Sequence, residues 1–318
     1  MILVCGTLAD AMIELMCARL QDLGYDYLLF DQVHYPGRFH LSWELEGNDL
    51  RGYVASPDRK VDVAQLTGVY ARYARFRGGP ERTDLSKLER EMTEAEYQLS
   101  LMQLLDVLPC VVINRVKAST SNDSKIYQAF LAESFGLRTP RTLVTTNPDE
   151  VRAFHEACGR RVIYKSLSSV RSIVTRLNEE DLWDPLIRVR NCPTQFQECV
   201  DGVDIRVHAV DDRIFATEIV SEVSDYRYAA RAGASLSLRP TELPDDVAAA
   251  CIGMARALGL ALAGIDLRRT PEGEYYCFEV NPSPGFIFYE RSTGQPISEA
   301  VAHLLHGGAR RRGQQSDR

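Results

Sequence analysis

Two carboxylates and an amide stand near one another late in the chain: Asp266 in GIDLRR, then Glu279 and Asn281 in CFEVNPSPGF. Glu279 and Asn281 are two positions apart, so an extended backbone points both to one side and Phe278 and Val280 to the other. LALAGIDLRR and YYCFEVN, joined by the turn TPEGE, read as a hairpin. If the turn holds an even number of residues, Asp266 shares a face with Glu279 and Asn281. Like charges that close repel, so a cation belongs between them. An all-oxygen donor set favours a hard cation, and Mg2+ keeps waters and adds phosphate oxygens. The patch therefore fits a Mg2+–nucleotide complex. The alternative is an exposed edge hairpin with ordinary surface acids. Pro282 and Pro284 end the strand directly after the amide.

Two lysines supply candidate phosphate contacts. Lys165 lies inside the apolar strand VIYKSL, where an ammonium needs an anionic partner: a phosphate or an internal salt bridge. Lys125 falls in the first turn of the helix SKIYQAFLAESFG, an end that attracts anions; otherwise it is a solvated surface lysine. In QFQECVDGVDIRVHAV, Glu198, Cys199 and Val200 form a strand end that breaks at Asp201-Gly202. An exposed strand-end backbone can pair with an adenine edge, and Asp204 can accept ribose hydroxyls. Asp204, Arg206 and His208 alternate with Ile205, Val207 and Ala209. Arg206 is suited to phosphate or a carboxylate as a bidentate donor, and His208 reads as structural. The alternative is a solvated Asp–Arg–His face on an amphipathic strand.

These residues need elements to hold them. ILVCG, a helix ADAMIELMCARLQDLG and YDYLLFD form a strand–helix–strand unit that implies a parallel sheet. TGVYARYARF, the amphipathic helix LEREMTEAEYQLSLMQLLDVL and CVVIN complete a first lobe, with a boundary near Lys117. The second lobe opens with a helix capped by Ser121 or Asp123 and closed by Gly136. It continues through a strand and a capped helix in TPRTLVTTNPDEVRAFHEACG, the strand RVIYKSL, a serine-rich turn and IVTRL. The third begins at TQFQE, continues through two or three strands with turns at Asp201-Gly202 and Asp211-Asp212 and a helix DDVAAACIGMARALG, and ends with the hairpin. The tail GGARRRGQQSDR lacks apolar periodicity and reads as disordered.

The chain has 318 residues, enough for two or three lobes. A net charge of -7 argues against general nucleic-acid or membrane-surface binding, and no apolar run reaches the length of a membrane span. The eight cysteines are scattered without a CxxC pair, which leaves no zinc pattern and fits reduced thiols in a cytoplasmic protein.

The order Lys125, Lys165, QECVDGVDIR, Asp266, FEVNPSPGF resembles the ATP-grasp ligases. GIDLRR followed by CFEVNPSPGFIFYERSTGQPIS is similar to RimK-type glutamate ligases, and CVVINRVKASTSNDSKIYQAFLAESFGLRTPRTLVTTNP is similar to the graspetide (microviridin-type) maturases of ribosomal peptides. The resemblance implies an α/β ATP-grasp fold with an N-terminal pre-ATP-grasp α/β domain over 1–116, a central ATP-grasp subdomain over 117–194, a C-terminal subdomain with the metal site over 195–307 and a disordered tail over 308–318. It implies that Lys125 and Lys165 hold nucleotide phosphates, that Glu198 and Val200 border adenine and that Asp204 binds ribose. Asp266, Glu279 and Asn281 would ligate Mg2+. Arg206, and Arg227 in SDYRYA, would serve catalysis on phosphate or substrate. The loop SLSSVRS departs from the glycine-rich lid of many such enzymes, so serines and Arg171 would contact phosphate there.

The implied reaction is ATP-dependent: a substrate carboxylate attacks the γ-phosphorus to give an acyl phosphate and ADP, and an amine or hydroxyl then displaces phosphate. The implied substrate is a ribosomal peptide that gains a side-chain ester or amide. Joining free amino acids, or adding one to a peptide terminus, is the alternative, and a kinase acting on a small-molecule hydroxyl a second. The implied partners are a peptide or amino acid bearing a carboxylate, with no nucleic acid and no membrane; a homodimer stays open.

Overall fold

The computed structural model describes residues 1–73, 85–167, 174–182, 184–221 and 236–308. Arg227, Arg171 with most of the serine-rich loop, the second part of YARYARFRGGPER and the tail beyond 308 lie outside the described residues.

A parallel sheet opens the chain, in the order Tyr27–Asp31, Ile2–Gly6, Gly68–Ala71, Val111–Ile113. Ile2, Leu3, Val4 and Cys5 form an unbroken buried run, as expected of a central strand covered on both faces. Asp10 caps the helix Ala11–Asp22, its carboxylate accepting from the Met12 N–H at 2.8 Å. That helix lays Ile13, Met16 and Leu20 on one face of the sheet. The helix Lys87–Val107 starts with a capping box of Ser86 and Glu89 and buries Leu101, Leu104 and Leu105 from its far end on the other face. A three-stranded meander, His40–Glu46, Asp49–Ala55 and Lys60–Asp62, is an addition that the sequence reading left unassigned. Its strands are mostly half-exposed, with Val54 and Val61 the positions sunk fully into the core, so its apolar alternation is weak.

The central sheet is antiparallel, in the order Thr175–Arg176, Val162–Lys165, Thr194–Glu198, Thr142–Thr145. The helix Pro148–Ala157, with Asn147 at its cap and Pro148 in its first turn, packs Val151 on Val162 and Phe196. Thr194–Glu198, expected to open the third lobe, pairs on both edges within this central sheet. The chain then crosses to the next sheet through residues 199–202.

The third sheet is antiparallel throughout, in the order Leu236–Thr241, Arg213–Ser221, Val203–Val210, Leu262–Arg269, Tyr275–Asn281. Ile205, Val207, Ala209, Ile265, Leu267 and Val280 bury one face against Val247, Ala250, Cys251 and Met254 of the helix Asp245–Ala257. Period-two alternation leaves Asp204, Arg206, His208 and Asp266 on the other face. The first and third sheets share one core, in which Ile2 and Val4 join Val210, Leu262, Phe286, Ile297 and Leu305. The helix Lys125–Ser134 covers the edge strand Tyr275–Asn281. Its cap is Ser124, which accepts from the Tyr127 N–H at 3.4 Å, and not Ser121 or Asp123, because residues 120–123 wind into a preceding 3-10 turn.

Candidate active site

Strand register sets Arg206, Asp266 and Glu279 in one row across three adjacent strands. Arg206 Nη1 donates to Asp266 Oδ1 at 2.7 Å, with the arginine buried. Lys125 Nζ lies 3.4 Å from Glu279 Oε2 with its side chain 10% exposed, which excludes the solvated-lysine alternative. Each carboxylate of the row is thus matched by its own cation, and the two cations compensate the repulsion between acids that the hairpin forces together. Asn281 faces Gly264, two pairs beyond Asp266 and Glu279. Its Oδ1 accepts from the Ser283 N–H at 2.8 Å, and a carbonyl oxygen keeps a second lone pair.

This donor set fits Mg2+. Two carboxylates and one carbonyl converge on adjacent strands, and among the described residues no group of three or more His, Cys, Asp or Glu is arranged to hold a metal. An ion here would have to complete its shell with water and phosphate oxygens, as Mg2+ does and an all-protein cage does not require.

The hairpin reaches this geometry by a route the sequence did not reveal. The turn between Arg269 and Tyr275 holds residues 270–274, an odd number, and the register beside it would set Asp266 opposite Phe278. A β-bulge after Asp266 skips Phe278: Leu267 pairs with Cys277, and Asp266 pairs with Glu279. Phe278 therefore does not join Val280 in the core as its spacing suggested. Its ring lies 5.2 Å from Arg268 Cζ, while Cys277 and Val280 are buried.

Gly264 leaves room for the Arg206 guanidinium. A Cβ there would stand 2.7 Å from Arg206 Cζ and 2.6 Å from Pro284 Cβ. Gly264→Ala is expected to push Arg206 off Asp266 or move the 282–285 loop, at a cost of about 1–3 kcal/mol from overpacking. Turnover should fall roughly 10- to 100-fold, as for lost support of a metal ligand. Steady-state kinetics with a Mg2+ titration, beside a urea unfolding curve, checks both.

Two buried amides absent from the sequence-predicted set position the hairpin. Gln128 Nε2 donates to the Val280 carbonyl at 2.7 Å, and Gln128 Oε1 accepts from the Val280 N–H at 3.0 Å. The side chain thus substitutes for a neighbouring strand at the position between Glu279 and Asn281. It also docks the helix that carries Lys125, one turn earlier on the same face. Asn114, at the end of Val111–Ile113, donates from Nδ2 to the carbonyls of Leu262 (2.6 Å) and Pro282. Its Oδ1 accepts from the N–H groups of Ala261 (3.0 Å) and Leu262 (3.2 Å). One side chain of the first lobe therefore holds the start of one hairpin strand and the exit of the other. Arg72, also of the first lobe, bridges Asp10 (2.7 Å) and Ser283 (3.1 Å).

The remaining predicted residues are spread over the central sheet, the crossing segment and the third sheet. Lys165 ends its strand, buried, opposite Gln195. Glu198 closes Thr194–Glu198, and its N–H donates to the Arg141 carbonyl at 2.9 Å. Val200 is buried in the crossing segment. Asp204 sits two residues before Arg206, on the same face and opposite Arg268. His208 is fully buried against Tyr289, ring centroids 4.9 Å apart, and burial, with the Arg206 charge second, lowers its imidazole to about 3. It is neutral at ordinary pH. Glu290, the acid after the Pro-Gly pair, is structural: it accepts from the Ser298 N–H (2.7 Å) and hydroxyl (2.6 Å) and from Arg19 (3.4 Å). Arg227 lies outside the described residues.

The arrangement, then, is an acid pair with matched cations on one face of the third sheet, a buried lysine at a strand end of the central sheet and a short crossing segment that joins the two sheets. The description "RimK-like ATP-grasp domain" matches residues 120–305. A probable alpha-L-glutamate ligase of Pseudoalteromonas translucida is 26% identical over 230 residues, 68% of this chain and 74% of that one. A RiPP-associated ATP-grasp ligase of Chryseobacterium gregarium, solved with ADP and a leader and core peptide, superposes with a TM-score of 0.82 at 24% identity, covering 96% of each chain. The ATP-grasp ligase PsnB, solved with a phosphomimetic variant of its minimal precursor, Mg and ADP, superposes with a TM-score of 0.80 at 25% identity, covering 96% of this chain and 97% of that one.

Proposed function

Because the chain belongs to the RimK-like ATP-grasp family of ligases, which use ATP, we propose that it converts a carboxylate of a ribosomally made peptide to an acyl phosphate with release of ADP, and that a side-chain amine or hydroxyl of the peptide then attacks the acyl carbon and displaces phosphate. The observation that carries the peptide substrate is the extent of the structural likeness. Peptide-bound ligases match 96% of the chain, which takes in most of the first 119 residues that the family description does not reach. The glutamate-ligase relatives cover 68% and favour a second reading, a free amino acid as one partner.

Mg2+·ATP supplies the phosphoryl group and neutralises its charge when bound. Asp266, Glu279 and Asn281 are the residues that would hold the ion. Arg206 and Lys125 orient the two acids now and would contact phosphate or the substrate carboxylate as the nucleotide enters. Lys165 would meet the phosphates from the central sheet, with Glu198 and Val200 at the adenine and Asp204 at the ribose. Positioning and charge stabilisation by these residues would supply most of the rate. Nothing here requires a protein nucleophile.

The test is ADP release with an acidic peptide in the presence of hydroxylamine. The expected result is peptide-dependent ADP formation with a peptide hydroxamate. A stable phosphoester product would instead identify a kinase, and hydroxamate formed on free glutamate but not on peptide would favour the second reading.

A further inference from the structure

Asp204 is held in place by an arginine on the neighbouring strand. Arg268 lies directly opposite it in the ladder, with Nε and Nη2 each 2.7 Å from Asp204 Oδ1. The same guanidinium donates from Nη1 to the Val200 carbonyl at 2.8 Å, in the segment that crosses between sheets. The bulged Phe278 lies 5.2 Å from its Cζ. Gly202, at φ 149°, lets the crossing segment close onto this strand: a Cβ there would meet the Arg269 carbonyl and stand 3.0 Å from Arg268 Cγ. One planar fork thus ties together the carbonyl beside the adenine position, the acid at the ribose position and the residue left over by the bulge.

We infer that Arg268 is a positioning residue that fixes Asp204 and the crossing segment for the ribose end of the nucleotide, and so sets how strongly the site distinguishes a ribose from a deoxyribose. The inference rests on the reading of Asp204 as the ribose acceptor. The fork holds the Asp204 carboxylate in one orientation, and a rigid planar guanidinium does this where a flexible ammonium cannot. Asp204 and Arg268 are both partly exposed, 25% and 22%, and such pairs contribute little to stability. Loss of the clamp should therefore register in ligand selectivity and not in melting temperature.

The experiment measures equilibrium binding of Mg·ADP and Mg·2′,3′-dideoxyADP by calorimetry. The wild type should prefer ADP by about tenfold, the scale of hydrogen bonds to a charged acceptor. Arg268→Met, which keeps the stem and loses the fork, should bring the ratio close to one by weakening ADP alone. Arg268→Lys, which keeps the charge, should recover no more than part of it; should Arg268→Met fail to fold, this variant carries the same readout. A ratio unchanged in both variants overturns the role of Arg268 and leaves the Asp204 assignment standing. A wild type that binds both ligands equally overturns the Asp204 assignment and the inference with it, while the ATP site stands. A wild type that binds neither overturns the ATP-site reading itself.

Discussion

Glu279→Gln is expected to reduce turnover by on the order of 10³-fold or more while the fold is retained, since loss of a metal ligand exceeds the 10–100-fold typical of its supporting residues. The amide keeps the shape of the side chain, so the strand and its pairing with Asp266 survive. What is lost is one negative charge opposite Lys125 at 3.4 Å and, with it, one of the two carboxylates proposed to hold Mg2+. Glu279 is 25% exposed but its partner Lys125 only 10%, so the stability cost should be about 1–3 kcal/mol, short of unfolding the protein. ADP release at saturating Mg2+, beside a thermal melt, separates the two effects. Activity within tenfold of wild type would refute the metal assignment.

Asn114→Ala should give the largest loss of stability, about 4 kcal/mol. It removes a buried amide and leaves the carbonyls of Leu262 and Pro282 and the N–H groups of Ala261 and Leu262 without it. Each orphaned buried group costs about 1–3 kcal/mol, less whatever water or relaxation returns. Urea unfolding at fixed pH measures the total. A loss below 1 kcal/mol would mean that the two lobes hold the hairpin without this side chain.

Much of the site was legible because strands impose parity. The alternation of Asp204, Arg206 and His208 against Ile205, Val207 and Ala209 named the face correctly, and the spacing of Glu279 and Asn281 named the hairpin end. Lys125 was recognisable from its place in a first helical turn. The rest was hidden for a common reason: it depends on side chains that bond to distant backbone. Gln128 and Val280 are 152 positions apart, and Asn114 and Leu262 are 148 apart. A glutamine in a helix and an asparagine after a strand carry no local signal of such partners. The bulge was hidden because periodicity assumes an unbroken ladder, and Phe278 looks like any apolar strand residue. The arginine opposite Asp204 could have been found by extending the same parity argument two residues beyond Asp266.

The bulge has a mechanical consequence. A ladder without one behaves as a stiff ribbon, and a disturbance at its turn is carried to its far end. Here the turn at 270–274, exposed over 271–273, and the pair Asp266–Glu279 lie on opposite sides of an interruption, where the strand can twist locally. The interruption works as a strain relief: a peptide tag or fluorophore spliced into that turn would be decoupled from the carboxylates. The turn is thus a natural attachment point for a reporter on this enzyme.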